Sequence, residues 1–510
     1  MTMTHPGLPD SWLWLAIACM SLAVMWTLMR LPNASAGHAF LNIERVPVFG
    51  QLARLFSSSP WPLLILKFIS VALFLTVIAA GLFGTPIPER NLATTLTWTV
   101  WWAGLIITVF FLGSAWCAVC PWDTLAGWLV KRRLWKRADA STSLGLRVPK
   151  MWRNVWPALI MFIGLTWLEL GVGVTTNPYA TAVLSLVMIV LATIYMAVFE
   201  GKAFCKHVCP VGRTVGFYAQ VSMVELRPRQ QKTCADCKTL ECYYGTDSIE
   251  PCPTHLVMGS LTQSTYCTSC SACTMSCPHD NVGWRLRSPA AEAIQHARPH
   301  WDEAWFMLGL LGLTTFHGIT MMEFWEQGLS RFAQLIGDSG QLIWSFSLGM
   351  LIVFVIPIVL YALLIKITQV LMPVKIDFKQ LFSRLAFVSL PLAFVYHIAH
   401  NLNHLIRESR GFTDVLLNPL GRDVLPLSSQ ELHMRHMNPL LSEQVLYALQ
   451  AGLMVFGFWL ALQVLQRRSL DAINDQASWR RYYLVPGIIF ITCVTAFNLW
   501  LLVQPMIMRM

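Results

Sequence analysis

Ten stretches of about 20 apolar residues, separated by short polar segments, dominate the pattern of this 510-residue chain. They fall at approximately 11–30, 63–84, 96–116, 156–174, 181–199, 304–323, 342–365, 385–405, 444–466 and 484–504. A helix of that length matches the hydrocarbon thickness of a bilayer. The pattern therefore predicts a mainly α, polytopic membrane protein of ten transmembrane helices. One long polar interruption, at 201–300, divides the chain into three parts. A five-span membrane domain covers 1–200, an insert covers 201–300, and a second five-span domain covers 301–510. No small-residue cleavage site follows the first span, so it reads as an anchor rather than a removed leader.

Composition agrees, with 55% hydrophobic residues, 13% charged residues and a mean hydropathy of +0.53. The net charge of +10 is not read as nucleic-acid binding, because its distribution describes membrane orientation. The loops after the odd-numbered spans carry 29 of the 37 Lys and Arg residues, with Lys131, Arg132, Arg133, Lys136 and Arg137 the densest run. Lys67 lies on that side too. The opposite side has only Arg90, Arg331, Arg407, Arg410, Arg422, Arg435 and Arg509. The positive-inside bias then places the insert in the cytoplasm and both termini outside. The expected location is a bacterial inner membrane, in contact with lipid.

The insert holds eight cysteines in two blocks. The second block, Cys267-x2-Cys270-x2-Cys273-x3-Cys277-Pro278, is the bacterial ferredoxin run, whose fourth cysteine ligates the other cluster. The first block, Cys234-x2-Cys237-x4-Cys242-x9-Cys252-Pro253, is a stretched form of it. Crossing the fourth ligands assigns Cys234, Cys237, Cys242 and Cys277 to one [4Fe–4S] cluster. Cys267, Cys270, Cys273 and Cys252 take the other. Structural zinc also uses paired CxxC motifs, but two tandem blocks ending in Cys–Pro fit it poorly.

A shorter repeat lies at the ends of two spans. Span three ends in Trp116-Cys117-Ala118-Val119-Cys120-Pro121, and span five is followed by Phe204-Cys205-Lys206-His207-Val208-Cys209-Pro210. Topology brings Cys117, Cys120, Cys205 and Cys209 to one depth beside the insert. A third centre is expected there: a third [4Fe–4S] cluster first, with [2Fe–2S] or a single iron left open. Four buried packing cysteines are the plain alternative. Cys19 and Cys493, alone inside spans, read as packing residues.

Cys–Pro pairs at helix ends, followed by a two-cluster insert, resemble the membrane polyferredoxins of the NapH/NosR/CcoG type over about residues 60–290. In that family the second motif is CxxxCP, which Cys205 to Pro210 match, whereas the first pair here is CxxCP. The resemblance implies electron transfer between a quinone pool, the clusters and a redox partner in a periplasmic reductase or oxidase system. It equally allows a copper- or metal-reducing assembly factor for an oxidase. A redox sensor is a third reading, disfavoured by the lack of an output domain. The chain thus reads as an electron carrier or a quinone-linked oxidoreductase subunit.

Ionisable groups inside spans are functional candidates by default. Glu169, His317 and His397 lie in the outer half of the bilayer, and His397, His400 and His404 share one face of span eight. His317 and His397 form the candidate pair for a b-type haem, with His400 and His404 as alternatives or ligands of a second site. A quinone pocket formed by the same histidines and Glu169 is the competing reading, and interhelical hydrogen bonding is the plain one. His433, His436 and Met437 could hold copper, although a solvated loop is the simpler reading.

Overall fold

The computed structural model describes residues 4–30, 40–134, 142–373, 375–431, 434, 439–473 and 478–507. His433, His436 and Met437 lie outside the described residues. All ten apolar stretches are helical. They are α1 (Asp10–Met29), α2 (Trp61–Phe83), α3 (Leu92–Leu112), α4 (Trp156–Val172), α5 (Pro178–Val198), α6 (Trp301–Ile319), α7 (Ile343–Leu371), α8 (Phe378–Glu408), α9 (Glu443–Ile473) and α10 (Arg481–Val503). Eight are long and apolar enough to cross a membrane; α4 is shorter. Helix α6 opens with Asp302 and Glu303 and is buried along nearly its whole length. The protein is a mainly α, polytopic membrane protein. Helices suit this setting because each satisfies its own backbone polar groups where water is absent.

Helix α8 is the centre of the bundle, with 94% of its most apolar window buried, against 17% for α1. The reason lies in its side chains. His397, His400, Asn401, Asn403 and Arg407 are all buried, and none of them tolerates lipid. Glycines let neighbours close around this helix, as small residues do in membrane bundles. A Cβ added at Gly457 of α9 would lie 2.2 Å from Val395, and one at Gly318 of α6 would lie 1.9 Å from Tyr396 Oη.

Two spans end in matching bends. After α3 the chain turns at Gly113 (φ +58°), forms the short helix Trp116–Val119, extends at Cys120 and restarts as Pro121–Lys131. After α5 it forms Ala203–His207, extends at Cys209 and restarts as Pro210–Tyr218. Proline explains both, because it pushes the preceding residue out of the helical region and is itself well placed in the first turn of a new helix.

The insert is built on a three-stranded antiparallel sheet, β1 (Phe40–Asn42), β2 (Val224–Pro228) and β3 (Val282–Arg287), in the order β1–β3–β2. A segment far upstream thus supplies one edge strand. Beneath the sheet lies a buried charge network. Arg227 and Arg287 both pair with Glu292, and Arg287 donates to Glu225 at 2.7 Å. Glu292 also accepts from the Ser264 N–H at 2.7 Å. Arg468 of α9 donates to the carbonyls of Ala293 and Ala297, each at 2.8 Å. The membrane bundle therefore grips the insert through the backbone on either side of its last turn.

Gly457→Leu should force α9 away from α8. Overpacking of this kind costs about 1–3 kcal/mol. A lowered melting temperature of the purified protein checks this, with Gly452→Leu as control because a Cβ there meets nothing within 4 Å.

Candidate iron–sulfur centres and the cavity on the opposite face

Four cysteines, Cys234, Cys237, Cys242 and Cys277, line one small cavity of the insert. The first three come from one block and the fourth from the other. N–H groups point at their sulfurs: Asn281 donates from its backbone to Cys277 at 3.4 Å and from its side chain to Cys234 at 3.3 Å. Gly259 packs against Cys234, whose Cβ would lie 2.9 Å from an added methyl. Cys237 sits at the rim, where the Leu240 N–H and the Thr239 hydroxyl hold its thiol below the ordinary range.

Cys252, Cys267, Cys270 and Cys273 form a second neighbourhood. Burial pushes the Cys267 thiol up to about 11. Burial also pushes Cys273 well above the thiol range, and neighbouring Cys270, Cys267, Cys252 and Cys242 add to it. The two groups therefore adjoin at Cys242 and Cys273. Backbone N–H groups of Leu256 and Ser269 donate to Cys252 and Cys267 at 3.3 and 3.4 Å.

These donors depend on unusual backbone. Of the ten non-glycine residues with positive φ among those described, Leu240, Ser269 and Ser271 lie within the cysteine blocks, and His255 and Asp280 lie just after them. Left-handed residues turn successive N–H groups inward, which is what a bound anion or sulfur needs.

The third group is at the paired bends. Cys120 and Cys205 are driven well above the ordinary thiol range by burial, with Asp123 and Cys209 adding to both. Burial pushes Cys117 up to about 11 and Cys209 up to about 12. The Gly212 N–H donates to Cys209 at 3.3 Å. Two cations stand close. Lys202 pairs with Asp123 at 2.7 Å, and Asp123 keeps it charged, above the lysine range, against the pull of burial. Arg213, fully buried, donates to the Cys205 carbonyl at 2.9 Å. Protonated thiols at these depths must lose their protons to bind metal, so loading releases protons. The bends are also tied to the second group. Arg213 reaches the Thr265 carbonyl at 3.0 Å, Lys202 N–H reaches the Pro253 carbonyl at 2.7 Å, and Ser114 meets Ser269 at 2.9 Å.

Among the described residues, no group of three His, Cys, Asp or Glu side chains is set as a closed metal site. What the chain supplies is soft donors in fours, N–H groups aimed at sulfur, and buried cations beside the bend cysteines. That chemistry fits iron–sulfur clusters, which are ligated by thiolates and tuned by hydrogen bonds to sulfur.

The histidines gather at the opposite ends of the helices. A cavity of about 220 Å³ is lined by Glu169, His317, His404 and Arg407, with Trp98 and Trp102 on one wall. Two π-helical turns, Thr95–Trp101 and Leu168–Val172, shape that wall and present Trp98 and Glu169; such bulges are common at functional sites. His317 stands against His400, ring centroids 5.1 Å apart, and His400 against His404, also 5.1 Å. His397 is placed differently. Its Nδ1 lies 3.2 Å from Tyr218 Oη, and its ring packs on Trp102 at 5.6 Å. A haem between His317 and His397 needs their rings on opposite faces of one slot. With His317 edge-on to His400 and His397 engaged by Tyr218, these residues as they stand do not fit one.

Several participants escape sequence reasoning. Tyr218 and Arg213 fall in the polar insert by residue number, yet helix Pro210–Tyr218 is wholly buried. The apolar run from Val215 to Ala219 was the available signal. Asp123 and Arg407 gave none. Cys493 is exposed on the surface of α10 rather than packed.

A family model described as a 4Fe-4S binding domain matches residues 94–138 and 181–222, the two segments that carry the helix-end cysteines and their bends. The Escherichia coli (strain K12) protein named "Putative electron transport protein YccM" is 28% identical over 118 residues, covering 22% of this chain and 30% of the relative. The match thus spans less than a third of that relative's length. No solved structure matches. Over this segment the chain is similar to ferredoxin-type 4Fe–4S membrane electron-transfer proteins.

Proposed function

We propose that the protein relays electrons between a quinone pool, three cysteine-bound iron–sulfur centres on one membrane face, and a redox partner of a respiratory reductase or oxidase system. The supporting observation is the continuity of the three cysteine groups. The insert groups adjoin at Cys242 and Cys273, and the second is hydrogen-bonded to the bends through Ser269, Thr265 and Pro253. Isolated structural metals need no such chain. Bound clusters supply reversible one-electron storage, at potentials set by net charge, hydrogen bonds and burial. The protein's part is to fix those terms. N–H donors to Cys209, Cys252, Cys267 and Cys277 stabilise electron density on sulfur. Lys202 and Arg213 offset negative charge where water is excluded. The same match to a 4Fe-4S binding domain supports a cluster as the occupant of the bends.

Cluster ligation is crossed in this reading. Cys277→Ser should abolish the signal of the centre held by Cys234, Cys237 and Cys242 while the other insert centre survives. Paramagnetic resonance of the reduced variant checks it; selective loss of the Cys267 centre instead would refute the crossing.

Replacing Cys117, Cys120, Cys205 and Cys209 together by serine should lower iron from about 12 to about 8 per chain, at about four irons for each cluster of this class. Iron and sulfide analysis after anaerobic purification reads the difference. Unchanged content would leave these residues as packing.

A short-chain quinol should bleach the cluster absorbance of the purified protein within a catalytic timescale. Reduction by dithionite with no response to quinol would remove the quinone link and leave only the coarser activity of iron–sulfur electron transfer.

A further inference from the structure

Beside the cavity opposite the cysteine groups stands a row of imidazoles, His317, His400 and His404, of which His317 and His404 line it. His400 is 2% exposed, and neither of its ring nitrogens has a hydrogen-bond partner. The Nε2 of His404 is likewise buried without one, whereas its Nδ1 meets Glu408 Oε1 at 2.6 Å. Leaving such groups unpaired in an apolar interior carries their full desolvation penalty. The arrangement therefore calls for something that passes between them. On α8 the residues 400, 404 and 408 recur every fourth position, which stacks them on one face. The cavity beside them has room for several waters. It is small beside the usual ligand pocket of about 300–1,000 Å³.

We propose that His400, His404 and Glu408 are a proton relay, with Glu169 and His317 beside it, opening on the membrane face opposite the clusters. This rests on the quinone-linked reading above. When a hydroquinone is oxidised, its two O–H bonds break, two electrons pass one at a time to the cysteine-bound centres, and two protons need an exit. An imidazole can accept a proton on one nitrogen and release another from its second. A proton arriving along the Tyr218–His397 pair is taken up by His400, passes to His404 Nε2 on the ring 5.1 Å away, and leaves from His404 Nδ1 to the Glu408 carboxylate, which lines the cavity. Reduction of a quinone runs the same path inward. The charged groups facing the relay suit it. Glu169 offers a buried carboxyl on the far wall, and Arg410 and Glu89 line the mouth. Arg407 is held by Glu443 at 3.0 Å and Asn403 at 2.8 Å, so its charge is fixed rather than mobile. His397, bonded to Tyr218 at 3.2 Å, continues the row at its inner end.

The test uses the full protein in liposomes, with orientation read from protease access to the insert and impermeant pH indicators on both sides. On addition of short-chain quinol, about one proton per electron should appear on the face opposite the insert. His400→Phe and His404→Phe should slow that release at least tenfold while dithionite still reduces every cluster. Added imidazole should restore His404→Phe in part, which a packing role would not allow. Protons emerging on the insert side, or unchanged release in His400→Phe, would overturn the relay while leaving quinol reduction intact. Where quinol reduces nothing, the functional reading fails on its own, and labelling decides the relay. Diethyl pyrocarbonate applied from the relay face should modify His404 and His400. Protection of both means no aqueous path and overturns it. A stoichiometric non-cluster metal lost in His400→Phe would instead make the row a metal site and also overturn it.

Discussion

The placement of the redox residues depends on two Cys–Pro turns. At Cys120 and Cys209 the residue after the cysteine cannot continue the preceding helix, because proline clashes with the residue before it and lacks a donor. The chain must extend for one residue and then begin a new helix. Without that forced step, the short helices Trp116–Val119 and Ala203–His207 would run on and carry Cys120 and Cys209 away from the bends. With it, both chains fold back at one level. The segments after the bends, Pro121–Lys131 and Pro210–Tyr218, then supply Asp123 and Arg213 to the same place. The bends also make the insert dockable, since Arg213 and Ser114 beside them bond the loops that hold Cys267 and its neighbours.

A second constraint is the polarity of α8. A helix bearing three histidines, two asparagines and two arginines cannot face lipid, so the bundle is organised to enclose it. Close glycine contacts from α6 and α9 accomplish this, and they bring His317 into the reach of His400. The buried arginines of the insert follow the same logic. Arg227 and Arg287 are tolerated because Glu225 and Glu292 answer them, and Arg468 is tolerated because it spends its donors on backbone carbonyls. Such arrangements are weak sources of net stability but strong sources of uniqueness, because any slip leaves a charge unpaired.

Much of this was legible in the chain. The ten helices follow from hydrophobic length, and the cysteine blocks follow from spacing, since Cys–Pro endings carry their own geometry. What could not be read depends on rotation and on distant pairing. Which histidine on α8 faces His317 is decided by how α6 and α8 turn and slide along their axes, since His397 and His400 stand only about 60° and ~4.5 Å apart on the helix. Phe40–Asn42 joins the insert across some 240 positions of sequence, and three residues carry no periodic signal. Tyr218 was hidden by its address. Nine residues of helix after a Cys–Pro turn look like the start of a soluble insert, but they are buried against α3, α4 and α8.

That buried segment links the cysteine bends to the central helix. Trp102 lies ten residues before the end of α3, a backbone rise of about 15 Å at ~1.5 Å per residue. His397 packs on Trp102, and Tyr218 bonds His397, so helix Pro210–Tyr218 must carry its last side chain to about mid-membrane. Irregular backbone at that depth is permitted only where protein covers it, and every residue of this helix is buried. From His397 to Glu408 is a further ~16 Å along α8. The two lengths together match the ~30 Å hydrocarbon core. A run of rings, Trp116, Trp101 and Trp102, with centroids 5.4 and 5.9 Å apart, joins the first cysteine bend to the cavity wall. Helix Pro210–Tyr218 meets the central helix there through Tyr218, whose ring packs on Phe394 and whose hydroxyl meets His397.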